Sequence, residues 1–235
     1  MRCVVGVDLG GTHVSAAVVG EDGTILGHAR RDVDRARTPA HVIRHDVLGA
    51  MREAVGHAGV APTAVGLGVP GSVDRATGRC HLLPNFGWRD VPLAAMLRRA
   101  CGLPTALLND VHAQTLGEYH FGGARGHRSF LMVSLGTGVG GGLMLDGRLV
   151  EGAHGSAGEI GHSTVDPDGD PCACGSRGCL ETKASGPAIA RAAAARGLAS
   201  QDASMVAAAA LAGDPAAREV LAAAGRWLGI ALANV

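Results

Sequence analysis

The chain states one plan twice. "VVGVDLGGTHVSAAVVGEDGTILGHA" and, later, "FLMVSLGTGVGGGLMLDGRLVEG" each read as strand, glycine turn with a threonine in it, strand, Asp-Gly turn, strand. The threonines are Thr12 and Thr137, and the second turns are Asp22-Gly23 and Asp146-Gly147. Asp-Gly between apolar runs signals a hairpin, because both residues tolerate the positive φ that tight turns require. A repeat constrains the fold more than any single motif, since each copy must bury its apolar face in the same manner. The sequence therefore predicts an α/β protein of two similar lobes, each opening with a β-meander, over residues 1–120 and 121–235. Helix-forming sequence follows the first meander at 41–57, and strand–helix pairs come next: "AVGLGVPG", then "PTALLND" running into "VHAQTLGEYHF".

Composition narrows the function classes. Lys plus Arg and Asp plus Glu number 21 each, so no global field attracts nucleic acid or a membrane surface. No apolar stretch is long enough to span a bilayer. "MRCVVGVDLGGT" passes from Met1 into an apolar run without the basic and hydrophobic regions of a signal peptide, which predicts a cytoplasmic protein with reduced thiols.

Reduced thiols give meaning to "GEIGHSTVDPDGDPCACGSRGCLET", where Cys172, Cys174 and Cys179 follow His162. Three thiolates and an imidazole make a closed tetrahedral zinc site, structural rather than catalytic because no position is left for water. Gly169, Pro171, Gly175 and Gly178 let so short a segment fold back around an ion. Cys3, Cys80 and Cys101 lie in apolar context and read as small core residues.

The paired glycine turns suggest a clamp on phosphates. Gly10, Gly11, Gly136 and Gly138 let backbone N–H groups approach phosphate oxygens, and Thr12 and Thr137 add hydroxyl donors. Neither turn is a Walker A loop, which needs Gly-Lys-Ser/Thr, and neither leads from strand to helix as a dinucleotide fingerprint does.

"DLGGTH" at Asp8–His13, "LLNDVHAQTLGE" at Leu107–Glu118, "SLGTGVGGG" at Ser134–Gly142 and "GEIGH…CACGSRGCLE" at Gly158–Glu181 together resemble the ROK family of bacterial sugar kinases and sugar-responsive repressors. The resemblance implies an actin-like, ribonuclease-H-like two-lobed fold with the zinc segment as a loop insertion. It further implies transfer of the γ-phosphate of ATP, with magnesium, to a hexose hydroxyl, as in a glucokinase. Such a transfer asks mainly for positioning, charge neutralisation and a proton acceptor. Asp110, after the strand "TALLN", is the candidate base, with a helix N-cap as its structural alternative. By the same resemblance Asn85, Asn109, Asp110, Glu159, His162 and Glu181 bind sugar hydroxyls, and Asp8 helps to hold magnesium beside the first turn.

The chain departs from that pattern in two places. His13 stands where most members carry Lys after "GGT". The second lobe runs only to the amphipathic helix "DPAAREVLAAAGRWLGIALANV", so a strand and helix are expected to be missing from its C-terminal end, and Trp227, Leu228 and Val235 are expected to form an exposed apolar face that favours a homodimer or higher oligomer. The competing readings are a hexose kinase, a non-catalytic sugar-sensing domain of repressor type, and a zinc-stabilised sugar-binding remnant. Met1 lies so near the first hairpin that no helix-turn-helix is expected before it.

Overall fold

The computed structural model describes residues 2–153, 155–199 and 202–235. The chain packs as two compact units, one running to Phe130 and including Met144–Ala157, the other made of Leu131–Leu143 and Gly158–Val235.

The first unit opens with the expected meander, β1 (Cys3–Leu9), β2 (His13–Gly20) and β3 (Ile25–Asp32), antiparallel throughout. Alternation decides which face is buried: Val5, Val7, Leu9, Val14, Ala16 and Val18 point into the core. A helical segment covers that face. It starts at α1 (Pro39–His41) behind a Thr38 cap, passes through a π-helical stretch Val42–Val47, and continues as α2 (Leu48–Ala58) to Gly59 at φ 66°. Ala50, Met51 and Ala54 are its buried contacts.

The chain then adds β4 (Val65–Val69), a small antiparallel sheet of β5 (Ser72–Asp74), β6 (Arg79–Leu83) and β7 (Trp88–Val91), helix α3 (Leu93–Cys101), β8 (Thr105–Asn109) and α4 (Asp110–Phe121). β4 runs parallel to β1 and β8 parallel to β4, which gives a five-stranded sheet in the order β3-β2-β1-β4-β8. The β5–β7 sheet was not foreseen, yet its turns carry local signals. Asp74 Oδ1 accepts from the amides of Ala76 and Thr77 at 2.9 and 3.1 Å, and Gly87 takes φ 65° after the turn Pro84–Phe86.

The second meander is β9 (Phe130–Leu135), β10 (Val139–Leu145) and β11 (Arg148–Leu149), in sheet order β11-β10-β9. It repeats the order β3-β2-β1 of the first. Beyond it lie α5 (Leu180–Ala184), α6 (Gly186–Ala194), α7 (Ala203–Leu211) and α8 (Pro215–Leu232). α8 starts as its sequence indicates: Asp214 Oδ1 accepts from Ala217 N at 2.9 Å and Pro215 is its first residue. The expected exposed face of α8 is only partly found. Val235 is exposed, but Trp227 and Leu228 are half-buried against Val139, Leu180 and Ala184. The Lys183 ammonium lies 5.5 Å from the Trp227 ring centroid. Among the described residues no helix is long and apolar enough to cross a membrane.

Candidate functional site

The first glycine turn links β1 to β2. Gly10 N donates to His13 O at 3.0 Å and closes the turn, while Val33 N donates to Thr12 O at 2.9 Å and ties the loop after β3 to it. The amides of Gly11 and Thr12 take no hydrogen bond among the described residues. Gly11 is glycine because Asn85 occupies the space of a side chain: a Cβ there would lie 3.1 Å from Asn85 Nδ2. The turn and Asn85, which sequence reasoning assigned to phosphate and sugar respectively, are thus neighbours. Asp8 ends the outward face of β1; desolvation by the protein around it pushes its carboxyl up, and nearby His13 pulls it down.

The head of α4 separates two residues that the sequence leaves interchangeable. Asn109 is the cap: its Oδ1 accepts from Val111 N and His112 N at 2.9 and 3.1 Å, and its Nδ2 donates to Gly71 O at 3.2 Å. Asp110 is the first helical residue, its Oδ1 accepting from Val111 N at 2.8 Å. The structural alternative for Asp110, a helix cap, therefore belongs to Asn109. Asn109 is buried, and its amide oxygen is committed to the helix end. His112, not singled out from the sequence, is buried one turn on and its Nε2 lies 3.0 Å from Ala157 O, anchoring the segment that leads to Glu159. A lone histidine in a helical pattern carries no signal of such a tertiary contact.

The second unit holds the other turn, built alike. Gly136 N donates to Gly138 O at 2.9 Å, and the amides of Thr137 and Gly138 take no hydrogen bond among the described residues. Gly136 O accepts from Gly186 N at 2.8 Å, which pins the turn to the start of α6, where Ser185 is the cap. The Glu181 carboxylate fills the place of a Gly138 side chain, and its Oε2 accepts from Val139 N at 3.0 Å. In each unit, then, a glycine turn with successive unbonded amides packs against an amide or carboxylate side chain expected to bind sugar hydroxyls.

Glu159 and His162 reach their positions through close backbone approach. Gly158, at φ 86°, and Gly161 lie directly on the backbone of β10, where a side chain at either would meet Gly141 or Val139. His162 then joins the cysteines: the ligand atoms of His162, Cys172, Cys174 and Cys179 all lie within 4.8 Å of one another. Cys172 Sγ is 3.7 Å from His162 Nδ1, and Cys174 Sγ is 3.7 Å from Cys179 Sγ. A tetrahedron with Zn–S bonds of about 2.3 Å has sulfurs about 3.8 Å apart, so the donor set and its spacing fit zinc. Nδ1 faces the thiols, leaving Nε2 to other partners. Burial, together with the neighbouring Cys172 and Cys174, pushes the Cys179 thiol up to about 12. The Ser176 amide and Cys172 hold the Cys174 thiol below its ordinary value. Lys183 Nζ pairs with Asp166 Oδ2 at 2.8 Å and fastens the cysteine segment to α5. The other thiols follow expectation in part: Cys3 and Cys80 are buried, Cys101 half-buried.

The chain is similar to known proteins along most of its length. The ROK family model matches residues 4–235. The glucokinase of Streptomyces coelicolor is 41% identical over 191 residues, covering 81% of this chain and 59% of its own length. The xylose repressor of Bacillus subtilis is 31% identical over 192 residues, covering 79% of this chain and 48% of its own. A ROK family glucokinase from Streptomyces griseus, solved in complex with glucose and AMPPNP, superposes with a TM-score of 0.88 at 34% identity, over 99% of this chain and 78% of that one. The chain thus spans about three-fifths of the length of the glucokinase it matches. With the twin glycine turns, the histidine–cysteine cluster and these similarities together, the chain belongs to the ROK family.

Proposed function

We propose that the full-length protein is an ATP-dependent hexose kinase, with glucose or a close hexose as acceptor. The observation that carries this is the duplication: two glycine turns, one per unit, each offering successive unbonded amides and each packed against a polar side chain, Asn85 in one and Glu181 in the other. Amides of that kind suit phosphate oxygens without net charge of their own. Asp110 takes the proton of the attacking hydroxyl, the hydroxyl oxygen bonds to the γ-phosphorus, and ADP leaves in line. Asn85, Asn109, Glu159, His162 and Glu181 orient the sugar, and such a polar set discriminates against analogues lacking a hydroxyl. Asp8 holds the magnesium that accompanies ATP. The His162, Cys172, Cys174, Cys179 cluster holds a structural zinc, which supplies a crosslink and no chemistry. The reduced thiols this needs suit the cytoplasm.

The second reading, a sugar-sensing domain of repressor type, is favoured by the xylose repressor similarity, at lower identity than the glucokinase. A coupled ADP assay of the full-length protein with glucose, mannose, N-acetylglucosamine and fructose separates the two. Turnover with at least one hexose is expected; hexose binding without turnover selects the sensor.

The Glu181 arrangement gives a matched pair of variants. Gly138→Ala drives a methyl into the Glu181 carboxylate, whereas Gly136→Ala places one in open space. Loss of a hydrogen bond to a charged group predicts hexose binding about tenfold to a hundredfold weaker for Gly138→Ala. Gly136→Ala should stay within about threefold of native, since its methyl breaks no such bond. Equal hexose titrations for the two would detach Glu181 from the sugar.

A further inference from the structure

The row of side chains that crosses the first sheet beside the glycine turn contains a cation that no motif marks. In register, Asp8 stands opposite Ser15 and Ser15 opposite Arg30, so the three share one face. The next residue, Arg31, points to the other face, where it pairs with Glu53 of α2 at 3.6 Å. Arg30 has no such partner: among the described residues it makes no ion pair. Its Nη2 lies 3.0 Å from His13 Nδ1, and Thr12 Oγ1 lies 2.8 Å from the same nitrogen. A guanidinium has only hydrogens to offer, so in this contact His13 Nδ1 is the acceptor. The guanidinium of Arg30 thus lies beside Thr12, held on the His13 ring.

We propose that Arg30 is a phosphate ligand of the first glycine turn, parked on His13 when the turn is empty. This rests on the reading that the turn holds the donor's phosphates. A phosphate oxygen is a stronger partner for a guanidinium than an imidazole lone pair, because the bond is then assisted by charge on both sides. The arriving phosphate takes Arg30 from His13, and the Gly11 and Thr12 amides complete its ligand set. Space for it exists: an open cleft of about 630 Å³ is lined by Gly11, Thr12 and the 33–36 loop.

The test uses the full-length protein, after hexose-dependent ADP release by the native form has been established; absence of that activity defeats the kinase reading and not this one. Arg30→Gln is expected to raise KM for ATP about tenfold to a hundredfold, the usual size for loss of a hydrogen bond between charged groups, with the hexose KM within about twofold. Inorganic tripolyphosphate, competing with ATP, should lose affinity by a similar factor, while adenosine as competitor should be unaffected. Arg30→Lys should recover part of the loss, and Arg30→Gln in a His13→Lys background should cost under about threefold, because the introduced ammonium restores a cation at the same corner. An unchanged ATP KM in Arg30→Gln overturns the proposal. So does a parallel rise in both substrate KM values, which would mark Arg30 as a brace for the edge strand.

Discussion

Asp110→Asn is expected to leave the full-length protein folded and able to bind hexose, while kcat falls by about two to four powers of ten. The geometry at the head of α4 isolates the proton. The cap is Asn109, whose amide oxygen holds Val111 N and His112 N, and this is untouched by the change. Asp110 itself accepts from Val111 N through Oδ1, a bond that an amide oxygen also makes. The change also removes a negative charge from the first residue of a helix, where the helix dipole favours it by about 0.3–1 kcal/mol. Asn109→Ala should behave in the opposite way, costing about 1–2 kcal/mol of stability because two amides and the Gly71 carbonyl lose their partner. Circular dichroism melts and single-turnover rates of the two variants, measured together, separate cap from base. Native kcat in Asp110→Asn would return Asp110 to a structural role.

What could be read from the sequence was what is local or repeated. Alternation gave β1 and β2, Asp-Gly gave the second turns, and Asp214-Pro215 gave the start of α8, because each depends on residues a few positions apart. The clustering of His162 with Cys172, Cys174 and Cys179 was legible because these are rare residue types within one short segment. What escaped depends on distant partners. The Gly138–Glu181 contact joins residues of β10's turn and α5, and no periodicity announces it. His112 bonds to Ala157, and Lys183 meets both Asp166 and Trp227, through tertiary packing alone. Asn109 and Asp110 are adjacent and both favour caps, so only the hydrogen bonds of the folded helix decide between them. The β5–β7 sheet has strands of three to five residues, too short for alternation to stand out.

Cys174→Ser is expected to release the metal and, with it, the hexose. Native full-length protein prepared without chelator should contain about one zinc per chain, given three thiols and an imidazole gathered within 4.8 Å of one another. The coupling to sugar follows from where the ligands sit. Cys179 precedes Glu181 by two residues and caps α5, while His162 ends the short turn that begins after Glu159. One bound ion would therefore fix the backbone near both carboxylates. Structural zinc contributes on the order of 10 kcal/mol or more to small folds, far more than the ion pair of Lys183 with Asp166 or the hydrogen bonds of Thr164 and Arg177 within the segment. Without it the segment should open locally and become sensitive to protease between Ser163 and Cys179, and hexose affinity should fall at least about a hundredfold, while the separate core of the first unit, and hence most of the circular dichroism, persists. Cys80→Ser is the control: that thiol is buried in the first unit's core and is not one of the clustered donors, so its loss should leave zinc content unchanged. Elemental analysis and hexose calorimetry on the same samples decide the matter. Native protein without zinc removes the metal site, and zinc-free Cys174→Ser with native hexose affinity shows that the cluster does not hold the carboxylates in place.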